Sequence, residues 1–490
     1  MADMSRDTTV GGRPAGYNIF YRFLRLFADI RQGEAPKALL LALNIFLLLL
    51  AYYILKPLRE ALLLVDQKAP VVKSCLSGAQ AVLFVFVIKA FSRLASRVPR
   101  HVLITWTTSF FISNLVIFYF LNLGGMAVKP MGIMFFIWIG IFNYFVIAQF
   151  WGFANDLYSD EVGKRTFPLV ALGATLGGLV ATLPVIKRLR DILGTNWEYK
   201  LMLIAGTVLF LCILLAWYIH RRDVRKTRAD REKGLAGAEE KARVQGQPLK
   251  AGGGFRLIFK SRYLLLIALM IGLYNFVNAT GEYIFTAVTV KANISATPMK
   301  AKEAVLSQSP QTAGKPVAPA EGMKKSIHNA FMDYQFLTNL IALFIQLFLV
   351  SRIFKWVGIG GALLFLPLIA LGGYALISFG AVFVLVRWVK ALENGTDYSL
   401  QNTTKAALFL VTPREEKYKA KAAIDTFFVR GGDTVSALAV LAGTQLLGLK
   451  IERYALLNVL AVILLLVICL RIIKAYKKRK AEDAGKPAPA

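Results

Sequence analysis

Apolar residues run through this chain in blocks of about 20 or more, parted by short polar stretches, and such blocks predict helices that cross a bilayer. About twelve are expected, near 36–64, 77–96, 102–123, 131–157, 166–186, 199–219, 262–290, 328–351, 356–372, 375–410, 420–447 and 455–475. Ahead of the first block, "NIFYRFLRLFADI" sets Ile19, Phe20, Phe23, Leu24, Phe27 and Ile30 on one helical face, with Arg22, Arg25, Asp29 and Arg31 largely opposite. That pattern predicts an amphipathic helix lying at a membrane surface, within an N-terminal segment 1–35.

The polar stretch 223–255 falls between the sixth and seventh blocks and divides the chain into two six-helix halves, 36–222 and 256–475, followed by a basic tail, 476–490. Faint internal echoes relate the halves. Tyr52 precedes Glu60 by eight residues in the first block, as Tyr274 precedes Glu282 in the seventh; "DEVGK" follows block four and "EEKYK" follows block ten. The expected fold is therefore an all-α polytopic membrane protein of about twelve transmembrane helices in two pseudo-symmetric bundles, of the major-facilitator type. The segment 292–327, rich in Ala, Pro, Ser and Lys, is expected to be a loosely ordered insertion on the outer side.

Composition sharpens this picture. The 490 residues are 56% hydrophobic and 18% charged, with a formal net charge of +30. In a soluble protein that charge would point to nucleic acid. Here Lys and Arg gather in the linker, the termini and alternate loops, which favours cytoplasmic termini by the positive-inside tendency and excludes a nucleic-acid partner. The three cysteines and three histidines are scattered without metal-ligand spacing, and no phosphate-binding Gly-Lys loop occurs, so neither a metal, a cofactor nor ATP-driven pumping is expected. The "GIGG" at 358–361 reads as helix packing.

Charges inside the blocks are the informative feature, because each costs on the order of 2.5–3.5 kcal/mol at the bilayer centre. Block one holds Lys56, Arg59 and Glu60, block seven Glu282, block ten Arg387, Lys390, Glu393, Asp397 and Lys405, and block eleven Asp425, Arg430 and Asp433. They predict either internal salt bridges between helices or an anion site, with Pro57 and Gly281 interrupting the first helix of each half to expose backbone groups. In block four, Tyr144, Gln149, Trp151 and Asn155 would suit a planar heterocycle, against the alternative that they pack or anchor the helix. Gly173 and Gly177 have the spacing of a close helix contact.

"ENGTDYSLQNTTKAALFLVTPREEKYKAKAAIDTFFVRGGD" and "QFWGFANDLYSDEVGKRTFPLVALGATLGGL" resemble the signature regions of the ATP/ADP translocase family, over roughly residues 40–475. The resemblance implies twelve helices, exchange of ATP for ADP or proton-coupled nucleotide uptake, and no covalent chemistry. Arg59 and Glu60 stand where members have a lysine followed by an acid. Glu282 matches the glutamate of span seven, Tyr398, Ser399, Leu400 and Lys405 match span ten, and Lys419 to Asp425 match the segment after it. A family glutamate early in span four is replaced by Ile139.

The resulting expectation is a monomeric secondary transporter in a bacterial inner membrane, not an enzyme, working by alternating access. Lys56, Arg59, Arg387, Lys390 and Lys405 are expected to hold anionic groups of a nucleotide, and Tyr53, Asn155, Tyr274 and Glu282 to contact the rest of it. Glu60, Glu282, Asp397, Asp425 and Arg430 are expected to couple or gate. Alternatives are a carrier of another phosphorylated or amphipathic anion, or a membrane scaffold or sensor whose charges only lock helices.

Overall fold

A computed structural model describes residues 34–95, 98, 100–158, 160–232, 254–306, 319–413, 416 and 420–483. The amphipathic stretch 19–31, residues 233–253 of the linker and 307–318 of the insertion lie outside the described residues. Every described element is a helix. In the first half these are α1 (Ala35–Leu63), α2 (Ala69–Ala95), α3 (Arg100–Leu123), α4 (Val128–Leu157), α5 (Asp160–Ala181), α6 (Pro184–Leu193) and α7 (Trp197–Glu232). In the second they are α8 (Gly254–Lys260), α9 (Arg262–Leu306), α10 (Pro319–Phe344), α11 (Val350–Phe379), α12 (Phe383–Thr396), α13 (Asn402–Leu408), α14 (Lys421–Ala423), α15 (Val429–Gln445) and α16 (Ile451–Asp483).

The expected blocks are largely helical, but the break between the ninth and tenth falls at 380–382, inside the expected block 375–410, and not at 373–374. Among the described residues eight helices are long and apolar enough to cross a membrane, or nine if α5 and α6, bent by 48°, form one span. Two physical reasons separate that number from twelve. One apolar run, Glu321–Phe379, contains two expected spans and is broken at Gly358, whose φ of 68° and ψ of −177° suit only a residue without a side chain. The "GIGG" is thus a helix break as well as a packing site. The block at 375–410, from Phe383 onward, and the block at 420–447 are helical but carry the charges described above. Their helices also switch to single wide turns at Asp397–Gln401 and Ile424–Phe428, irregularities that favour functional sites.

The insertion differs from expectation: residues 292–306 extend α9 and 319–327 open α10, so both flanks of 307–318 are helical. Likewise the linker begins inside α7 and the tail inside α16. Gly281 and Pro57 do not interrupt their helices either, since α9 and α1 run through them.

In the first half α1 is central, packed by α4, α5 and α7. A Cβ at Gly173 or Gly177 would overlap the backbone of Ala42 or Phe46, so small residues let α5 lie directly on α1. In the second half α9 packs against α10, α12, α15 and α16. The halves meet through α2 on α15 and α9, and through α10 on α1 and α5. The aromatic-rich core of the first half and the two cores of the second are almost wholly their own.

Candidate functional site: a charged centre between the halves

Lys56, Arg59 and Glu60 lie three and four residues apart, so one face of α1 carries all three. Glu60 is buried, and its Oε1 accepts from Arg59 Nε at 3.0 Å. Its Oε2 lies 2.9 Å from Lys73 Nζ of α2. Lys73 reaches across to the second half, donating to Thr286 Oγ1 at 3.1 Å and standing 3.9 Å from Glu282 Oε2, both on α9. The other Glu282 oxygen accepts from the Tyr334 hydroxyl at 3.0 Å and from Asn394 Nδ2 at 3.2 Å. Lys56 donates to Gln335 Oε1 of α10 at 3.3 Å and sits 5.6 Å from the Tyr53 ring centre. Arg59 lies 4.6 Å from the Phe136 ring centre. The two carboxylates that the repeat echo pairs, Glu60 and Glu282, therefore share one cation. Glu282 keeps 29% of its side chain exposed, so this centre is not sealed as a core.

The charges of block ten, close in sequence, are split by the helix into three places. Lys390 is 1% exposed, and its donors go to Asn278 O, Asn278 Oδ1 and Glu393 Oε2 at 3.0, 2.6 and 3.0 Å. Tyr374 donates to the same Glu393 oxygen at 2.7 Å. A Cβ at Gly281 would overlap the Tyr374 hydroxyl, which explains a glycine inside an unbroken α9. Arg387, one turn into α12, lies 5.5 Å from the Phe383 ring centre. Lys405 belongs to α13, which the 1.5 Å rise places about 27 Å from Arg387 along the helix. One small anion cannot touch both.

Lys405 pairs with Asp397 at 3.0 Å and stands 5.1 Å from the ring centre of buried Tyr274. These three, with Asn275, Asn402, Lys421 and Asp425, line a cavity of about 290 Å³ within the second half. Of the remaining candidates, Asn155 is exposed near the end of α4. Arg430 pairs with Asp433 at 3.2 Å and lies 4.4 Å from the Phe84 ring centre of α2. Tyr144 and Trp151 pack edge-on against Phe84 and Phe167. Gln149 accepts from Thr107 at 2.6 Å and lines a water-sized space inside the first half with Asn44 and Thr108. The structure does not bring these block-four side chains together as a heterocycle cradle.

Lys73 is missing from the expected set. It lies one turn into its helix beside the loop residue Lys68, where a lysine reads as an interface anchor. A second polar cluster also escaped the sequence. Arg190 of α6 donates to Asn329 Oδ1 at 2.6 Å and meets His328 Nδ1 at 3.4 Å. Lys324 pairs with buried Glu198 at 2.9 Å, and Lys187 pairs with Asp333. All three links join the first half to α10 at the end expected to face outward. At the opposite end, among the described residues, Lys37–Asp223, Arg165–Glu34 and Arg479–Glu416 each stay within one half.

Residues 130–296 match the family model described as TLC ATP/ADP transporter. The chain is 25% identical over 470 residues to ADP,ATP carrier protein 1 of Chlamydia muridarum, covering 84% of this chain and 82% of that protein. It is 26% identical to ADP,ATP carrier protein 1 of Chlamydia trachomatis, covering 59% of this chain and 54% of the relative, so there it spans about half the relative's length. The chloroplastic ADP,ATP carrier protein 2 of Arabidopsis thaliana is 24% identical, with 62% and 48% covered. In fold, the crystal structure of the nucleoside transporter NupG superposes with a TM-score of 0.54 at 12% identity, covering 90% of this chain and 99% of that one. A POT family transporter bound to 5-aminolevulinic acid superposes at 0.55 and 14% identity, over 88% and 96%. In sequence the chain is similar to the TLC ATP/ADP transporters over residues 130–296, and it has a multi-pass, major-facilitator-like helical fold.

Proposed function

We propose that this protein is a secondary transporter that exchanges or takes up nucleotides by alternating access. The observation that carries the reading is the charged centre. Lys56, Arg59 and Lys73 meet Glu60 and Glu282 between two halves with separate cores, and desolvated charges of this kind mark substrate routes in membranes. Lys56 and Arg59, with donors to spare, would take phosphate oxygens, and Tyr53 would frame the nucleoside. Glu282, held by Tyr334 and Asn394, would accept from a donor on the base or ribose. Lys405, Asp397, Tyr274 and Asp425 would form a station on the path inward. Asn155 lies at the inner mouth, and Arg430 ties α15 to α2 at the seam. The names and family of the relatives support adenine nucleotides as substrates.

Lys390 and Glu393 fit the other reading, internal salt bridges, because the three Lys390 donors are spent on Asn278 and Glu393, and Glu393 Oε2 is held by Lys390 and Tyr374. We assign that pair to scaffolding, and Arg387 to the outer end of its helix. Bacterial relatives and the basic inner segments support a bacterial inner membrane, with both termini in the cytoplasm and one chain as the transport unit. The cross-half links at the outward end correspond to a carrier closed on that side.

The test is purified protein in liposomes, offered labelled ATP, ADP, other nucleotides, sugar phosphates and lipid phosphates. Saturable ADP or ATP uptake that Arg59→Gln weakens through KM is the expected result. Uptake of sugar or lipid phosphates alone would move the protein to another anion class. Transport of none would leave a scaffold.

A further inference from the structure

The charged centre is unequally divided between the halves. The first half brings three cations, Lys56, Arg59 and Lys73, against the one carboxylate of Glu60. The second half brings Glu282, while its Lys390 is already neutralised by Glu393. A surplus of positive charge thus faces a negative one across the seam. Lys73 makes the contact: on α2 of the first half, it donates to Thr286 and approaches Glu282, both on α9 of the second. Glu60, Lys73 and Thr286 also lie toward the outward ends of α1, α2 and the apolar run of α9, on the same side as the links from Arg190, Lys187 and Glu198 to α10.

We propose that Lys73 is a coupling lock: its bridge to Thr286 and Glu282 holds the outer side shut until an anion bound on the first-half cations takes over the role of Glu282. Parting the halves outwardly moves Lys73 away from α9 but leaves it beside Glu60. Its surplus charge and that of Lys56 and Arg59 then lack their counterpart across the seam, in a site with little water to replace it. A polyphosphate on those cations supplies the missing negative charge and cancels the pull between the halves. Reorientation outward is then easy with an anion aboard and difficult without one, which is the physical requirement for exchange rather than leak. This inference rests on the transport reading above and assigns its stoichiometric coupling to a residue that contacts the seam.

Two readouts on the full-length protein test it. Wild type, Lys73→Gln and Thr286→Val are reconstituted in liposomes either empty or loaded with ADP, and uptake of labelled ADP is followed. Wild type should take up ADP into loaded vesicles only. Lys73→Gln should raise uptake into empty vesicles about tenfold, with Thr286→Val moving the same way by less. In parallel, spin labels at Ile192→Cys and Phe379→Cys, both exposed at the outward end, report the distance between the halves. Without ligand, wild type should give one short distance, Lys73→Gln should add a longer one, and ADP or pyrophosphate should add it to wild type. Unchanged distances and an unchanged loaded-to-empty ratio in both variants would overturn the lock. A wild type that opens with pyrophosphate yet moves no nucleotide would leave the lock standing and overturn the nucleotide reading.

Discussion

A cation whose donors are all occupied and one with donors to spare respond differently to substitution. Lys390 belongs to the first kind, so Lys390→Met strands buried Glu393 and should destabilise the fold by about 3–5 kcal/mol. Thermal melting in detergent would show this, and adding Glu393→Leu should recover much of the loss; an unshifted melt would return Lys390 to the substrate route. Glu282, with part of its side chain exposed, should behave otherwise. In a proton-coupled carrier Glu282→Gln should abolish pH-driven accumulation and spare exchange. In a strict exchanger where it touches substrate, exchange itself should collapse. Unaltered transport in both assays would deny it either role. The residue types at the centre were legible in the sequence, since charges in apolar blocks announce themselves. Their partners were not: Lys390, Arg387 and Lys405 look like one cluster within 19 residues of a single helix, yet rise and rotation send them to three surroundings. Lys73 hid for the opposite reason, because a lysine near a helix end costs little and signals nothing.

Helix positions were the most readable level, because long apolar blocks leave a chain in lipid no alternative that satisfies its backbone. Continuity was less readable. Gly281 looked like a break and is a close contact, while Gly358 looked like packing and is a break. The difference depends on what lies opposite each glycine, which no single segment records. Gly358→Ala should therefore cost about 1–3 kcal/mol from its backbone angles alone, seen as a lower melting temperature with the helix content retained. Gly177→Leu should do more harm by prising α5 from α1, and a well-expressed, fully stable variant would contradict the close packing. The length of α9 speaks to topology. Its 45 residues extend roughly 67 Å at 1.5 Å each, about twice the bilayer's hydrocarbon thickness. Its far end must leave the membrane, so a cysteine at Ala301 should react with an impermeant reagent from one side and a cysteine at Ala236 from the other. Labelling of both from one side would remove the six-plus-six arrangement.

For the whole molecule, the contrast between its two ends sets the expectation. Cysteines replacing Lys187 and Asp333, joined by a short bifunctional reagent, should arrest transport by fastening the halves at the end expected to face outward. The same reagent between cysteines replacing Lys37 and Asp223, which lie in one half, should leave transport running. Arrest in both cases would mean that the halves do not move as units. The separate cores of the halves carry one more consequence. If each half organises its own interior and recognises the other across a charged seam, covalent continuity between α7 and α8 is dispensable. Residues 1–240 and 241–490, made as two polypeptides in one cell, should find each other in the membrane and restore uptake. Reversing the charge of Lys73 on one fragment should weaken that reunion, and reversing Glu282 on the other as well should repair it.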